Sequence, residues 1–187
     1  MAYVLTPRAV LSFPHLFVAK PRTQAPGAEP YYSCSLLFDA AARKTPEWKA
    51  LQDAYVEAAK AKFGDKVNLK SLVEYPFRDG ALKEYAGYGP GVVYISAATK
   101  KSDDWPPPTI VDGRLQKVVD PAKVYSGAIV IAALNPYGWE FSGRKGVSFA
   151  LVHLQIVDAT APRIDGSAPA DKIFSPLEQL EDEDSPI

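Results

Sequence analysis

One cysteine, two histidines and one methionine among 187 residues leave little material for redox or metal chemistry. Cys34 has no partner for an internal disulfide, which excludes a stapled secreted scaffold and points to a reducing compartment. Two histidines and one cysteine are too few for a typical structural zinc site. No apolar run approaches the ~20 residues that span a bilayer. The start Met1-Ala2-Tyr3-Val4-Leu5-Thr6-Pro7 has no basic segment followed by an apolar one, so no secretion signal is expected. The expectation is a soluble, cytoplasmic protein that needs no metal and no cofactor.

Charge of either sign is scarce in the total, which is −1 at pH 7, and this argues against a nucleic-acid binder. The total conceals a split. Five of the 22 acids (Glu178, Glu181, Asp182, Glu183, Asp184) lie beyond Ile173 with no Lys or Arg among them. The other 17 face all 21 basic groups, so residues 1–173 carry a net +4. A mildly basic body precedes an acidic end.

What is abundant is punctuation. The 17 prolines and 12 glycines are spread along the chain, which favours many short strands over long helices. One stretch, 46–63, predicts a helix. Thr45 can cap it, Pro46 suits its first position, and Trp48, Leu51, Tyr55, Ala58, Ala59 and Phe63 recur at helical spacing before Gly64. Strands are expected over 2–13, 31–39, 91–100, 124–134, 137–141 and 147–157. Turns are expected at Asn135-Pro136-Tyr137-Gly138 and over 142–146. Alternation in the second strand points Tyr32, Cys34, Leu36 and Phe38 inward and Tyr31, Ser33, Ser35 and Leu37 outward. Residues 1–157 therefore read as one mainly β domain, 158–172 as a linker and 173–187 as a disordered acidic tail. The domain suits an antiparallel barrel of the oligonucleotide/oligosaccharide-binding type, the OB-fold, with one inserted helix. A β-sandwich with an inserted helix has nearly the same pattern.

Enzyme chemistry has few carriers. His153 alternates with Phe149 and Leu151 in a strand and suits packing better than catalysis, and Cys34 lies on an apolar face. The glycines of Gly87-Tyr88-Gly89-Pro90-Gly91 lack a following Lys-Ser/Thr and precede a strand, so they read as a turn and not as a phosphate loop. Asp79, Asp112 and Asp120 are the only candidates for a nuclease-type Mg²⁺ site, and each sits beside Gly or Pro as turn residues do.

Binding leaves better traces, because single-stranded nucleic acid is held by rings that stack on bases and cations that track phosphates. Tyr94 and Lys100 share one face of the third strand, with Lys101 and Trp105 in the Pro-rich loop that follows. Phe77 and Arg78 lead towards Tyr88. Tyr137, Trp139 and Phe141 alternate along a short strand, with Arg144 and Lys145 at the next turn, and Lys20 and Arg22 follow Phe17 in a first long loop. All of these but Phe141 and Phe17 are assigned to DNA contact. The acids Glu181, Asp182, Glu183 and Asp184, ended by Pro186 and Ile187, form an interaction tail. Such a tail suits a phosphate mimic that occupies the groove until DNA displaces it.

Several blocks in order carry a family resemblance: Thr6-Pro7 with Ser12-Phe13-Pro14, Tyr32-Ser33 to Leu37-Phe38, Trp48 to Lys66, Pro76-Phe77-Arg78-Asp79-Gly80, Tyr125-Ser126-Gly127, Asn135-Pro136-Tyr137 and Lys145 to Phe149. Together they resemble the phage single-stranded DNA-binding proteins once catalogued as a domain of unknown function, related in plan to podophage helix-destabilising proteins. The acids, proline and terminal hydrophobe are similar to the tails of bacterial-type single-stranded DNA-binding proteins, although those usually end in Phe and this chain ends in Ile187. The resemblance implies an OB-fold and non-catalytic, largely sequence-independent binding of single-stranded DNA. It also implies service in phage replication or recombination, in the host cytoplasm. The implied partners are single-stranded DNA and, through the tail, phage or host replication and recombination proteins, with room for a homodimer. A β-rich virion structural protein is the main alternative, and a metal-dependent nuclease the second.

Overall fold

The computed structural model describes residues 3–73 and 75–166. The linker expected over 158–172 is covered only as far as Gly166, and the tail residues Glu181, Asp182, Glu183, Asp184, Pro186 and Ile187 lie outside the described residues. The protein is mainly β with one helix, consistent with an OB-like fold. Among the described residues there are eight strands: β1 (Val4–Leu5), β2 (Ala9–Pro21), β3 (Pro30–Phe38), β4 (Arg78–Asp79), β5 (Val93–Lys100), β6 (Thr109–Val111), β7 (Ile129–Phe141) and β8 (Arg144–Asp158).

Five of them pair in a circuit. β2 pairs with β3, β3 with β5, β5 with β8, β8 with β7, and β7 again with β2. Every pairing of the circuit is antiparallel except β5 with β8, which meet in parallel at Ala97 and Phe149. Short β1 and β6 extend β7 and β8, and β4 lies beside β5. The inward positions of the circuit fill the core, with Leu11, Leu36, Phe38, Ile95, Val130, Leu134 and Phe149 almost wholly removed from water.

The helix α1 (Pro46–Phe63) has the expected bounds. Thr45 Oγ1 accepts from the Trp48 amide at 3.3 Å, Pro46 opens the first turn, and Gly64 ends the helix with φ +91°. Trp48, Leu51, Tyr55 and Ala59 are buried against the sheet, as the 3.6-residue period predicts. The face assignment of β3 also holds for Cys34, Leu36 and Phe38, which are buried. Enclosure in apolar surroundings pushes the Cys34 thiol up to about 12. Cys34 will therefore resist a maleimide reagent in the folded protein and react only in denaturant. Rapid labelling under native conditions would contradict this packing.

Several boundaries differ from expectation. The strand expected over 2–13 is divided at Thr6 to Arg8, where Thr6 is buried and exchanges backbone and Oγ1 hydrogen bonds with Ala132. β2 then runs on to Pro21, so Lys20 stands in a strand and not in a loop. Pro14 is tolerated because the strand bulges there: Phe13 and Pro14 together oppose the one residue, Cys34, between Ser33 and Ser35. The turn expected at Asn135 to Gly138 is absent, and β7 is continuous. Beyond Leu134, β7 has a strand neighbour on one side only, which accommodates the missing amide of Pro136. The expected turn over 142–146 contracts to Ser142 and Gly143, with φ of +49° and +75°, the two positive angles of a tight two-residue hairpin. β6 was not expected.

Candidate nucleic-acid interface

Register decides which side chains meet. On the outer face of β2, β3 and β5, Lys20 stands opposite Tyr31, and Tyr31 opposite Lys100. The next outward pairs are His15 with Ser33 and Ser33 with Ala98; then Ser12 with Ser35 and Ser35 with Ser96; then Val10 with Leu37 and Leu37 with Tyr94. Arg78 on β4 continues the last row beside Tyr94. Across the parallel contact of Ala97 with Phe149, the flanking residues Ser148 and Ala150 extend this floor of small side chains onto β8. Leu37 and Tyr94 in the last row are buried, so the open floor runs from Tyr31 to Ser35, about 13 Å at a strand's rise of ~3.3 Å per residue.

Its two ends differ in chemistry. One end is cationic around a single ring: the Arg22 guanidinium lies 5.3 Å from the centre of Tyr31, flanked by Lys20 and Lys100. Lys100 is ion-paired with Glu29, and that hydrogen-bonded partner holds its ammonium pKa above the usual lysine value. At the same end the His15 imidazole is shifted below its ordinary value, first by burial and then by the charge of Lys20. The other end is aromatic. Phe13 meets Tyr85 edge-on at 5.0 Å and Tyr88 at 6.4 Å, Tyr85 meets Tyr88 at 5.7 Å, and Tyr88 covers Tyr94 at 5.1 Å. Phe13 and Tyr85 are about half exposed, at 46% and 53%.

Phe13 reaches this face through strain. Leu11 points inward and Ser12 outward, so strict alternation would turn Phe13 into the core. A φ of +46° at Phe13 reverses it, a conformation that costs a non-glycine residue ~1–2 kcal/mol. Its amide donates to Ser126 Oγ at 3.1 Å, which anchors the bulge to the turn before β7.

The thirteen residues assigned to DNA contact divide by position. Lys20, Arg22, Lys100, Tyr88 and Arg78 join this face, with Lys101 exposed just past the end of β5. Tyr94 joins it too, but is buried beneath Tyr88, so it supports a ring and offers none. Phe77 is in the core: it packs within 6 Å of Trp48, Tyr55, Tyr75 and Phe149 and is 8% exposed. The hairpin of β7 and β8 carries Tyr137, Trp139 and Arg144 on its outward side, opposite Ser148, Gly146 and Phe141. There the Trp139 ring lies over Gly146, and its Nε1–H donates to Ser148 Oγ at 2.9 Å. Lys145 faces the other way, 3.8 Å from the Glu140 carboxylate and 5.6 Å from the centre of the Phe63 ring on α1. Trp105 is 53% exposed in the loop between β5 and β6.

Phe13, Tyr31 and Tyr85 were not assigned. Tyr31 carried a signal in its outward alternation, and Tyr85 in its place between Arg78 and Tyr88. Phe13 carried none, because its orientation depends on the bulge.

The three aspartates considered for a metal are turn caps. Asp79 accepts from the Ala81 amide, Asp120 from that of Ala122, and Asp112 from those of Arg114 and Gln116, which hold its carboxyl below the usual range. No group of three His, Cys, Asp or Glu side chains able to hold a metal ion occurs among the described residues. No helix among the described residues is long and apolar enough to cross a membrane.

In fold, the protein is similar to phage-encoded single-stranded DNA-binding proteins. It resembles the solved single-stranded DNA-binding protein of bacteriophage Enc34 in complex with single-stranded DNA, with a TM-score of 0.66 and 20% identity over 86% of this chain and 88% of that one. A C-terminal truncation of the Enc34 protein matches with a TM-score of 0.62 and 22% identity over 86% and 87%. The protein gp2.5, a single-stranded DNA-binding protein of bacteriophage T7, matches with a TM-score of 0.57 and 17% identity over 96% of each chain. The model of the Enterobacter phage Enc34 single-stranded DNA-binding protein family matches residues 2–185, and the chain belongs to that family. No curated protein sequence matches this one.

Proposed function

We propose that this protein binds single-stranded DNA without catalysis and with little sequence preference, on the outer face of β2, β3 and β5. The closed circuit of pairings is read as an OB barrel, and this is the face of that barrel that suits a strand of bases. One observation carries the reading: the register brings a cation-flanked ring, a floor of small side chains and a cluster of half-exposed rings into one line. Bases stack on rings of any sequence context, and phosphates are tracked by cations, so such a line holds a single strand and not a duplex. The family and the fold of the Enc34 protein support the same reading.

The acidic end, residues 173–187, acts as an internal competitor for the basic face and as the contact for phage replication or recombination proteins. Its block Glu181 to Asp184 mimics a run of phosphates, and its tip Pro186-Ile187 offers an apolar contact once DNA frees it.

A fluorescence titration with oligo-dT and with duplex of equal length tests both statements. Binding of oligo-dT should be the tighter, should need no Mg²⁺ and lead to no cleavage in its presence, and should fall with salt. Lys20, Arg22, Arg78 and Lys100 would give a slope of log K on log salt of roughly −2 to −3, at ~0.7 per phosphate contacted. No affinity for oligo-dT, or ordered self-assembly without DNA, would favour a virion component instead. Removal of residues 174–187 should tighten oligo-dT binding and flatten part of the salt response. Unchanged affinity would end the competitor model.

A further inference from the structure

The stretch after β8 has a composition that reads as linker, yet as far as Gly166 it is packed down onto the body. Tyr125 donates its hydroxyl to the Ala161 carbonyl at 2.6 Å. The Arg163 guanidinium lies 4.8 Å from the centre of the Tyr125 ring and forms a two-pronged ion pair with Asp165, at 3.2 and 2.7 Å. The Ile164 amide donates to the Ser126 carbonyl at 2.9 Å. Gly127 shows how close the chain passes: at φ +116°, a Cβ there would lie 2.1 Å from the Pro162 carbonyl oxygen.

Two of these contacts lead to the aromatic end of the proposed face. Ser126, whose carbonyl accepts from the Ile164 amide, also accepts from the Phe13 amide through its Oγ and so holds the bulge that turns Phe13 outward. The Ile164 side chain meanwhile fills the space beside Gly87, between Tyr85 and Tyr88: a Cβ on Gly87 would lie 2.8 Å from Ile164 Cδ1 and 3.4 Å from Leu37 Cδ2. One short segment thus contacts both Ser126, which anchors Phe13, and Gly87, in the loop that carries Tyr85 and Tyr88.

We infer that residues 159–166 are a strap that sets the aromatic wall in its binding geometry, with Ser126 and Ile164 as positioning residues acting through Phe13 and the Tyr85–Tyr88 loop. The inference rests on the reading of this face as the single-strand site. It assigns to the segment before the acidic end an effect on affinity opposite to that end's: the strap supports binding, whereas the tail opposes it.

The test uses the full chain with Ser126→Ala, Ile164→Ala and Phe13→Ala, singly and in pairs. Oligo-dT affinity, the thermal midpoint and hydrogen exchange at the Phe13 amide are measured for each. Ile164→Ala and Ser126→Ala should each weaken binding about three- to ten-fold in the parent; with Phe13 already alanine, Ser126→Ala should have almost no effect, as coupled neighbours behave, and Ile164→Ala a smaller one carried by the Tyr85–Tyr88 loop. Both should speed exchange at Phe13 without DNA present, and Ile164→Val should restore binding and protection. The same loss with and without Phe13, or unchanged exchange at Phe13, would overturn the strap. A lower thermal midpoint with no change in affinity at a temperature where the protein is folded would also overturn it, since the segment would then be structural only. If the unsubstituted protein fails to bind oligo-dT while Phe13 exchange still responds to Ile164, the function fails and the mechanical link survives. If both fail, neither statement stands. A chain ended at Gly166 should bind more tightly than the full chain, and one ended at Asp158 more weakly than that at Gly166. Equal affinity of the two shortened chains would count against the strap.

Discussion

Alanine at both Phe13 and Tyr31 will weaken oligo-dT binding by roughly thirty- to a thousand-fold, with the thermal midpoint little changed. Phe13 packs against Tyr85 and Tyr88 while Tyr31 stands among the cations, with the row of Ser33 and Ala98 between them, so on the proposed face each ring would hold its own base and their effects should add. Stacking on one ring contributes ~1–3 kcal/mol per base, and two such losses of moderate size give about 2–4 kcal/mol. Tyr31→Ala should also change the salt response, because Arg22 lies over that ring and loses the surface that orients it. Phe13→Ala should leave the salt slope alone, since no cation is paired with it. Isothermal titration at several salt concentrations separates the two. If the double variant binds as the parent does, the single strand runs elsewhere, and the outward rings Tyr137 and Trp139 of the hairpin become the next to test.

Phe77→Ala will act on stability and not on binding. Phe77 is enclosed by Trp48 and Tyr55 of α1, by Tyr75, and by Phe149 at the centre of β8, so it joins the helix to the sheet. Truncating a buried phenylalanine to alanine costs ~3–5 kcal/mol, much of the 5–15 kcal/mol by which an ordinary domain is stable. Chemical denaturation should show the unfolding free energy falling by that amount, with oligo-dT affinity within two-fold of the parent at a temperature where the variant is folded. A large loss of affinity in a stable Phe77→Ala protein would return Phe77 to the binding face and contradict its burial. Arg78, one residue later, should behave in the opposite way, because it is exposed in the row of Tyr94.

These adjacent residues show how far the sequence carried. The pairing of aromatic and basic types in Phe77-Arg78 was read as one binding element, yet an extended backbone sends neighbours to opposite sides. The same alternation was informative in β3, where Cys34, Leu36 and Phe38 are inside as expected. A turn expected over 142–146 hides it in the hairpin, where Arg144 and Lys145 belong to β8 and alternate, Lys145 on the α1 side and Arg144 on the side of Trp139. Composition likewise gives no sign of the contacts made by residues 159–166, because a segment held by backbone carbonyls, one ring and one apolar side chain leaves no periodic signal.

The sequence by itself determined the elements whose causes are local. Thr45, Pro46 and Gly64 bound α1 because caps act within one turn, and Ser142-Gly143 closes the hairpin because only its own two φ angles matter. The charge split between body and acidic end is likewise a property of the chain alone. Which outward face has a use was decided only in three dimensions. Tyr31 meets Lys20 and Lys100 through pairings of β3 with two other strands, Ser96 and Ser148 come together across the parallel contact, and Phe13 is reversed by a strained bulge tied to Ser126, 113 residues away. Alternation assigns two sides to each strand, but it takes the closure of the circuit to say which side is the interior.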